Sequence, residues 1–430
     1  MRTALLILAW MHALCVWAAP VVYRAASAHP MVGEPITPAE LLVEGGKLIA
    51  VGKSVARPAG ARVVDLPGLH LYPGLIAMPT SLGLVEISGV RATLDTTEAG
   101  EFLPEVEAWG SVNPDSELIA VARANGITHA LVAPMGGRIS GQSGLMQLSG
   151  WGVESMTAKK PIALHLYWPS MELSAAPKSV KDPAGPKVKS LKEQANDRAE
   201  RLRALDRFFD DAQAYQKARV AGLKDFRRVP AWESVLPFLK GGQPIMVHAQ
   251  EARQITAALA WAKRRGYSMI LVGARDAGSL APLLAEHKVP VVFDALFELP
   301  HHDEHAADLH FRTPGVLHRA GVPMALCLPM GGWAASELRN LPYLAAQAAA
   351  NGLPRAEALK SITLRPAQFM GDATRRGSLE AGKEATFIAV EGDLLDIRAQ
   401  VRRMWIAGVE VSLESRHTRL YDRYKNRPRP

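Results

Sequence analysis

Histidines beside carboxylates at short spacing are the first chemistry that this chain offers. His301-His302-Asp303-Glu304-His305, with His310 close behind, gathers hard and borderline donors on one stretch, a composition able to hold a divalent cation. The run lacks the His-Glu-x-x-His spacing that sets two imidazoles on one helical face, and adjacent histidines point apart, so a solvated polar loop is the competing reading. His248 ends the apolar run Ile245-Met246-Val247 and therefore sits at the tip of a buried strand. A neutral imidazole there either binds a metal, at about 2.0–2.1 Å for zinc, or is hydrogen-bonded inside a polar pocket. The Gly-rich stretch from Pro134 to Trp151, PMGGRISGQSGLMQLSGW, reads as a loop whose backbone can approach a ligand closely, with Arg138, Ser140 and Gln142 as its donors. It is not a P-loop, which needs Gly-Lys-Ser/Thr at its end.

These residues need a scaffold, and the composition provides for one. The chain has 430 residues, 48% hydrophobic and 21% charged, ordinary values for a globular protein with a sizeable core. Strand-like alternation fills Glu34 to Leu66, with Gly45-Gly46 as a hairpin turn between two apolar runs. Leu69 to Ile87, LHLYPGLIAMPTSLGLVEI, reads as a strand, a Pro73-Gly74 turn and a short buried strand. From there to about residue 376, strand-like runs alternate with helical patterns, as a parallel barrel requires. Asn113 to Asn125 is a helix capped by Asp115 or Ser116, and Gly126 to Val132 is the strand after it. Residues 175–187 form a Pro- and Lys-rich exposed loop. Leu191, Ala195, Ala199, Leu202, Leu205 and Phe209 then mark a long amphipathic helix.

Arg2 followed by the apolar run Ala4 to Ala19 reads as an export signal, with cleavage after Ala18 or after Ala28; an uncleaved anchor is the rival. The expected location is outside the cytoplasm, periplasmic if the source is Gram-negative. Cys15 lies in that segment, which leaves Cys327 without an intrachain disulfide partner, and a lone cysteine reads as a small buried hydrophobe. The net charge of +8 comes with basic clusters at Lys178 to Arg228 and Arg423 to Arg429. No aromatic-interleaved groove accompanies them, which argues against nucleic acid. Solubility or loose contact with an anionic envelope surface remains, and self-association stays open.

Several motifs together resemble the amidohydrolase superfamily, in its imidazolonepropionase-like branch. Leu69 to Ile87 resembles the opening barrel strand, Arg365-Pro366-Ala367 the end of the last barrel helices, and Gly377 to Lys383 the turn back into a β-sandwich that both chain ends build. The resemblance implies an α/β fold: a TIM-type (β/α)8 barrel, distorted in places, plus that composite β-sandwich. It divides the chain into a signal peptide at 1–28, sandwich at 29–72, barrel at 73–376 with a basic linker and long helix at 175–225, sandwich again at 377–415, and a basic tail at 416–430. In the family the opening strand carries Asp-x-His-x-His; here Ala77, Pro79 and Ser81 hold those positions. His248 holds the strand-five ligand position, Gly273 the strand-six one, and Cys327-Leu328-Pro329 spans the place of the strand-eight aspartate. No lysine is found to end strand four, Lys240 being a loop residue. The implied function is hydrolysis of non-peptide C–N bonds, in an amide or cyclic amide, at a depleted metal site with His248 as the catalytic candidate. The alternative is an inactive relative that binds a small ligand or partner protein at the barrel mouth, with Arg138, Ser140, Gln142, His301, His302 and His305 as contacts. No cofactor is expected, zinc being accommodated only by a substitute ligand set.

Overall fold

A computed structural model describes residues 19–173, 189–222, 226–239, 241–301 and 303–428. The first 18 residues of the expected signal, the Pro- and Lys-rich loop, Lys240 and His302 lie outside the described residues.

Among the described residues fifteen strands fall into two sheets. In chain order, β1 (Val21–Ala28), β2 (Ala39–Glu44), β3 (Lys47–Gly52) and β4 (Arg62–Pro73) begin the first sheet. The second takes β5 (Leu75–Thr80), β6 (Ile127–Val132), β7 (Ile139–Gln147), β8 (Thr157–Tyr167), β9 (Ile245–Ala249), β10 (Met269–Gly273), β11 (Val291–Phe293) and β12 (Met324–Leu326). The chain then returns to the first sheet as β13 (Phe387–Glu391), β14 (Gln400–Ile406) and β15 (Val409–Val411). The first sheet therefore has the order β15-β14-β13-β4-β1-β2-β3, and the second runs in sequence from β5 to β12.

The seven-stranded sheet curls until its two hairpin turns meet. Gly45 and Gly46, both at positive φ, make the expected turn between β2 and β3. Gly46 O accepts a hydrogen bond from Ala385 N, and Ala385 O accepts one from Gly408 N, both at 2.8 Å. Inside the curl, Tyr23 meets Phe387 and Trp405 edge-on at 5.1 and 4.9 Å, and those two rings stack at 4.6 Å. This corrects the boundary at residue 28. β1 lies mid-sheet, paired with both β2 and β4, so cleavage after Ala28 would remove a central strand and Tyr23 with it. Only the site after Ala18 leaves the sheet whole. The small-x-small pattern of Ala26-Ser27-Ala28 also suits a tightly packed strand: Ala28 is fully buried and Ser27 nearly so.

β4 runs straight into β5 through Gly74, so the expected turn is a switch from one sheet to the other. Glycine is required there, because a Cβ would lie 2.3 Å from Thr128 Oγ1. The eight-stranded sheet is a nearly closed barrel, parallel except that β7 runs antiparallel to β6 and β8. Between β12 and β5, where no ladder closes it, helices Arg355–Ser361 and Leu364–Phe369 pack, and Ile362 O accepts the Ile76 N–H at 2.9 Å. Alternate residues turn inward. Ile76, Met78, Leu131, Met246, Val272 and Val292 fill the barrel, and Phe369 and Met370 plug its N-terminal end.

The expected Gly-rich loop is largely the strand β7. Segment 96–111 crosses β7 so closely that side chains there would collide: a Cβ on Gly141 would lie 2.4 Å from Val106 O, and one on Gly144 2.8 Å from the Trp109 ring. The glycines answer to packing between segments. Ser116, not Asp115, caps helix Glu117–Ala124, its Oγ accepting Leu118 N–H at 3.3 Å. The long amphipathic helix spans Leu191–Ala221 with Leu205, Phe208, Phe209 and Ala212 inward. The basic tail contains a helix, Arg416–Lys425, tied to Glu117 by Arg419 at 2.8 Å. Among the described residues no helix is long and apolar enough to cross a membrane.

Candidate functional site

The period-two alternation of β8 and β9 decides what faces the barrel mouth. Leu164, Leu166, Ile245 and Val247 join the outer core, which leaves His165 and Tyr167 on β8 and His248 on β9 facing in. The strand ends are locked by backbone bonds, with Trp168 N–H donating to His248 O at 3.0 Å and Tyr167 N–H to Arg138 O at 2.8 Å. His165 Nδ1 and His248 Nε2 share a hydrogen bond of 2.9 Å, one donating and the other accepting. Tyr167 stacks on the His248 ring at 4.1 Å, nearly parallel. Burial keeps both imidazoles neutral, lowering His165 well below its ordinary value and His248 to about 3. His165 has no accessible surface, whereas His248 retains some, so His248 is the member of the pair within reach of a ligand.

Asp294 follows β11 at the same mouth. Loss of water around its carboxyl, with the Glu298 charge in support, raises it to about 7; the Gln250 amide and Arg275 charge only partly offset this. Its charge reaches Tyr167 and Cys327, both held protonated mainly by burial. The Tyr167 hydroxyl faces the Met330 sulfur at 3.8 Å, a weak acceptor that a better one could displace. Gly273 ends β10 at φ +92 and Ala274 follows at φ +61, a conformation that L-residues disfavour by about 1–2 kcal/mol. That bend leaves room for Gln250, whose Nε2 would lie 2.4 Å from a Cβ on Gly273, and Gln250 Oε1 accepts Arg275 N–H at 3.2 Å.

The side chains of Arg138, Ser140 and Gln142 turn to other partners, although the Arg138 backbone adjoins Tyr167. Arg138 pairs with Glu101 at 2.9 Å, Ser140 Oγ donates to Pro134 O at 3.2 Å, and Gln142 Nε2 donates to Pro104 O at 2.8 Å. All three thus fasten the loops around β7, which accounts for their polarity within the protein. His301 and His305 are exposed, with His301 Nε2 3.9 Å from Glu172 Oε1, while His310 is buried on helix Leu309–Arg319. His301 and His305 therefore lie on the surface while His310 is turned into the core. Ser81 Oγ, at the end of the opening strand, accepts Gly331 N–H at 3.3 Å. Among the described residues no three His, Cys, Asp or Glu side chains form a metal-holding group. Sequence reasoning missed His165, Tyr167 and Asp294. The available signal was parity: His165 and Tyr167 share the face of Ala163, and Asp294 continues the inward face of Val292.

A parallel-type barrel with ionisable side chains at the C-terminal ends of its strands, joined to a sheet made from both chain ends, defines a class of barrel proteins that place their chemistry at that mouth. The model of the Amidohydrolase family matches residues 344–412. A dihydroorotase of Geobacter sulfurreducens is 34% identical over 115 residues, 24% of this chain and 26% of that protein. Amidohydrolase tasK of Hapsidospora irregularis is 22% identical over 406 residues, 86% of this chain and 39% of that protein. The matches thus span well under half the length of these curated relatives. The crystal structure of an amidohydrolase from Thermotoga maritima superposes with a TM-score of 0.78 at 26% identity, over 91% of this chain and 99% of that one. The family-model match and the structural likeness together support a place for the chain in the amidohydrolase superfamily.

Proposed function

We propose that the protein hydrolyses a non-peptide C–N bond, in an amide or cyclic amide, at the C-terminal mouth of its barrel, with Asp294 as the proton-handling group. The observation that carries this reading is a carboxyl just past the end of β11 whose buried Oδ1 has no hydrogen-bond partner among the described residues, a setting in which burial raises Asp294 to about 7. A general base works best with its pKa near the operating pH. Asp294 would take a proton from attacking water and return it to the leaving nitrogen, and the Tyr167 hydroxyl is placed to donate to the developing oxyanion. The residues present do not fit the metal set that the family implies. His248 spends its Nε2 on His165, and Pro79, Ser81 and Gly273 stand where the resemblance puts further ligands. Export, expected from the first residues, is part of the same proposal.

The self-paired histidines favour a second reading, a family member that binds a ligand at the mouth without turning it over. The test is an assay of purified protein against simple amides, hydantoins and lactams, with dipeptides as the peptide-bond control and metal content measured on the same sample. Turnover that Asp294→Asn abolishes and His248→Ala weakens supports the hydrolase. No turnover, with saturable ligand binding that His248→Ala weakens, supports the second reading. Turnover unaffected by both substitutions sinks the site assignment.

A further inference from the structure

The opposite end of the barrel carries a cleft of about 820 Å³, within the usual size range for a small-molecule site. Its wall is formed where the barrel strands begin. Pro161 on β8, and Pro244, Pro290 and Pro323 just before β9, β11 and β12, all line it. Proline rings are apolar and conformationally fixed, so the wall is formed in advance and little entropy is lost in ordering it around a ligand. Ile162, Ile270, Phe369 and Met370, which also close the barrel interior, supply an apolar floor.

The charge on this cleft has one sign. Lys159, Lys263, Lys288 and Arg365 line it, and no Asp or Glu does so among the described residues. Arg365 is matched by Glu357 from just outside, at 2.9 Å. Lys159 donates two of its three N–H groups to the carbonyls of Met370 and Gly371 and has no carboxylate within 4 Å among the described residues. Lys263 and Lys288 have no carboxylate within 4 Å among the described residues. The contrast within one helix is informative: Arg264 and Arg265 pair with Asp206, and Arg265 also with Asp210, while neighbouring Lys263 on the cleft side has no such partner. Cations at a face whose only task was stability would gain by similar pairing. Gln243 Oε1, in the same lining, is buried without a hydrogen-bond partner among the described residues, and with the amide turned over its N–H group becomes a donor facing an anion in the cleft.

We infer that this cleft is a binding site for an amphiphilic carboxylate, a fatty-acid-like anion whose head meets Lys263 and Lys288 and whose chain lies along the prolines over the apolar floor. The site is separate from the barrel mouth and does not depend on the hydrolase reading. Calorimetric titration of the full protein with dodecanoate, below its micellar concentration, tests it. One saturable site is expected. Acetate, a head without a chain, and dodecyltrimethylammonium, the same chain with the opposite charge, are expected not to bind there. The double variant Lys263→Glu/Lys288→Glu, altering two exposed side chains, should weaken dodecanoate by roughly tenfold or more, and more steeply at low salt. Ser268→Trp, on the exposed wall, should block the site without reversing charge. His248→Ala and Asp294→Asn should leave dodecanoate affinity unchanged. The inference is overturned if dodecanoate fails to saturate, if dodecyltrimethylammonium binds equally well, or if the double charge reversal has no effect. It is also overturned if the mouth variants abolish binding, or if phosphatidylglycerol vesicles bind while free dodecanoate does not.

Discussion

Beneath the barrel, Arg376 donates one N–H to Asp372 and another to Glu384, both at 2.6 Å, whereas at the opposite mouth Asp294 Oδ1 has no hydrogen-bond partner among the described residues. Arg376 is deeply buried and Asp294 partly so, both are ionisable, and their surroundings act in opposite directions. The two carboxylates around Arg376 raise it above its ordinary value against the cost of burial, so the charge is kept. Around Asp294, loss of water outweighs the help from Gln250 and Arg275, so the charge is discouraged. The first arrangement joins the end of the barrel to the seven-stranded sheet. The second leaves a group that changes protonation near neutral pH, which a purely structural carboxyl has no reason to do.

The comparison breaks most visibly at Arg376. Arg376→Met removes one cation and strands two carboxylates, and taking one partner from a buried ion network costs about 3–5 kcal/mol. Chemical denaturation should show a loss of that order. If the loss is under about 1 kcal/mol, the network is not what fastens the barrel to the sheet. Asp294→Asn should act in the other direction. A carboxyl raised to about 7 binds more protons in the folded than the unfolded state between about pH 4 and 7, so wild-type stability falls as pH rises through that window. The variant lacks this slope and should be more stable than wild type above about pH 7, by as much as about 2–4 kcal/mol. Under the proposed function the same change lowers kcat/KM by about 10²–10⁴-fold. A variant that is less stable at high pH, and as active as wild type, contradicts both halves of that expectation.

His248 sharpens the contrast through the opposite sign. Its imidazole falls to about 3 on folding, so between about pH 3 and 6.5 the unfolded chain binds the extra proton and wild-type stability drops as pH falls. His248→Gln keeps a polar group opposite His165 and should reduce the loss on acidification to about pH 5 by about 1–2 kcal/mol. Equal acid sensitivity in variant and wild type would show that the pair is not held neutral.

Much of the architecture was legible because it rests on patterns one side chain deep. The Gly45-Gly46 hairpin, the helix ended by Ser116 and the strand of Leu75 to Thr80 follow from local spacing. What was hidden depends on a second segment. β7 reads as a loop until segment 96–111 is laid across it, when Gly141 and Gly144 become the residues that permit contact. β1 reads as a cleavage region until Tyr23 is seen between Phe387 and Trp405. His248 was legible from its strand, but its partner was not, because the fourth barrel strand ends at Tyr167, well before the long helix and Lys240, where the resemblance points for its lysine. Asp294 is hidden in sequence for a related reason: the histidine-rich run that follows it carries more donor side chains at shorter spacing. That run is conspicuous in sequence, but His301 and His305 are exposed and His310 is buried on the next helix.

Arg138 is where that lesson can be tested at the smallest expected effect. Its guanidinium is nearly buried, but its carboxylate partner Glu101 is about two-thirds exposed, so water screens the pair and such contacts are worth about 0–1 kcal/mol. Arg138→Met keeps a long apolar stem against β7 and removes only the charge. The backbone bond from Tyr167 N–H to Arg138 O is untouched, so the mouth should keep its geometry. Stability should fall by less than about 1 kcal/mol, and ligand affinity at the mouth should stay within about twofold. A tenfold loss of affinity at unchanged stability would return Arg138 to the ligand contacts and move the boundary of the site from β8 to β7.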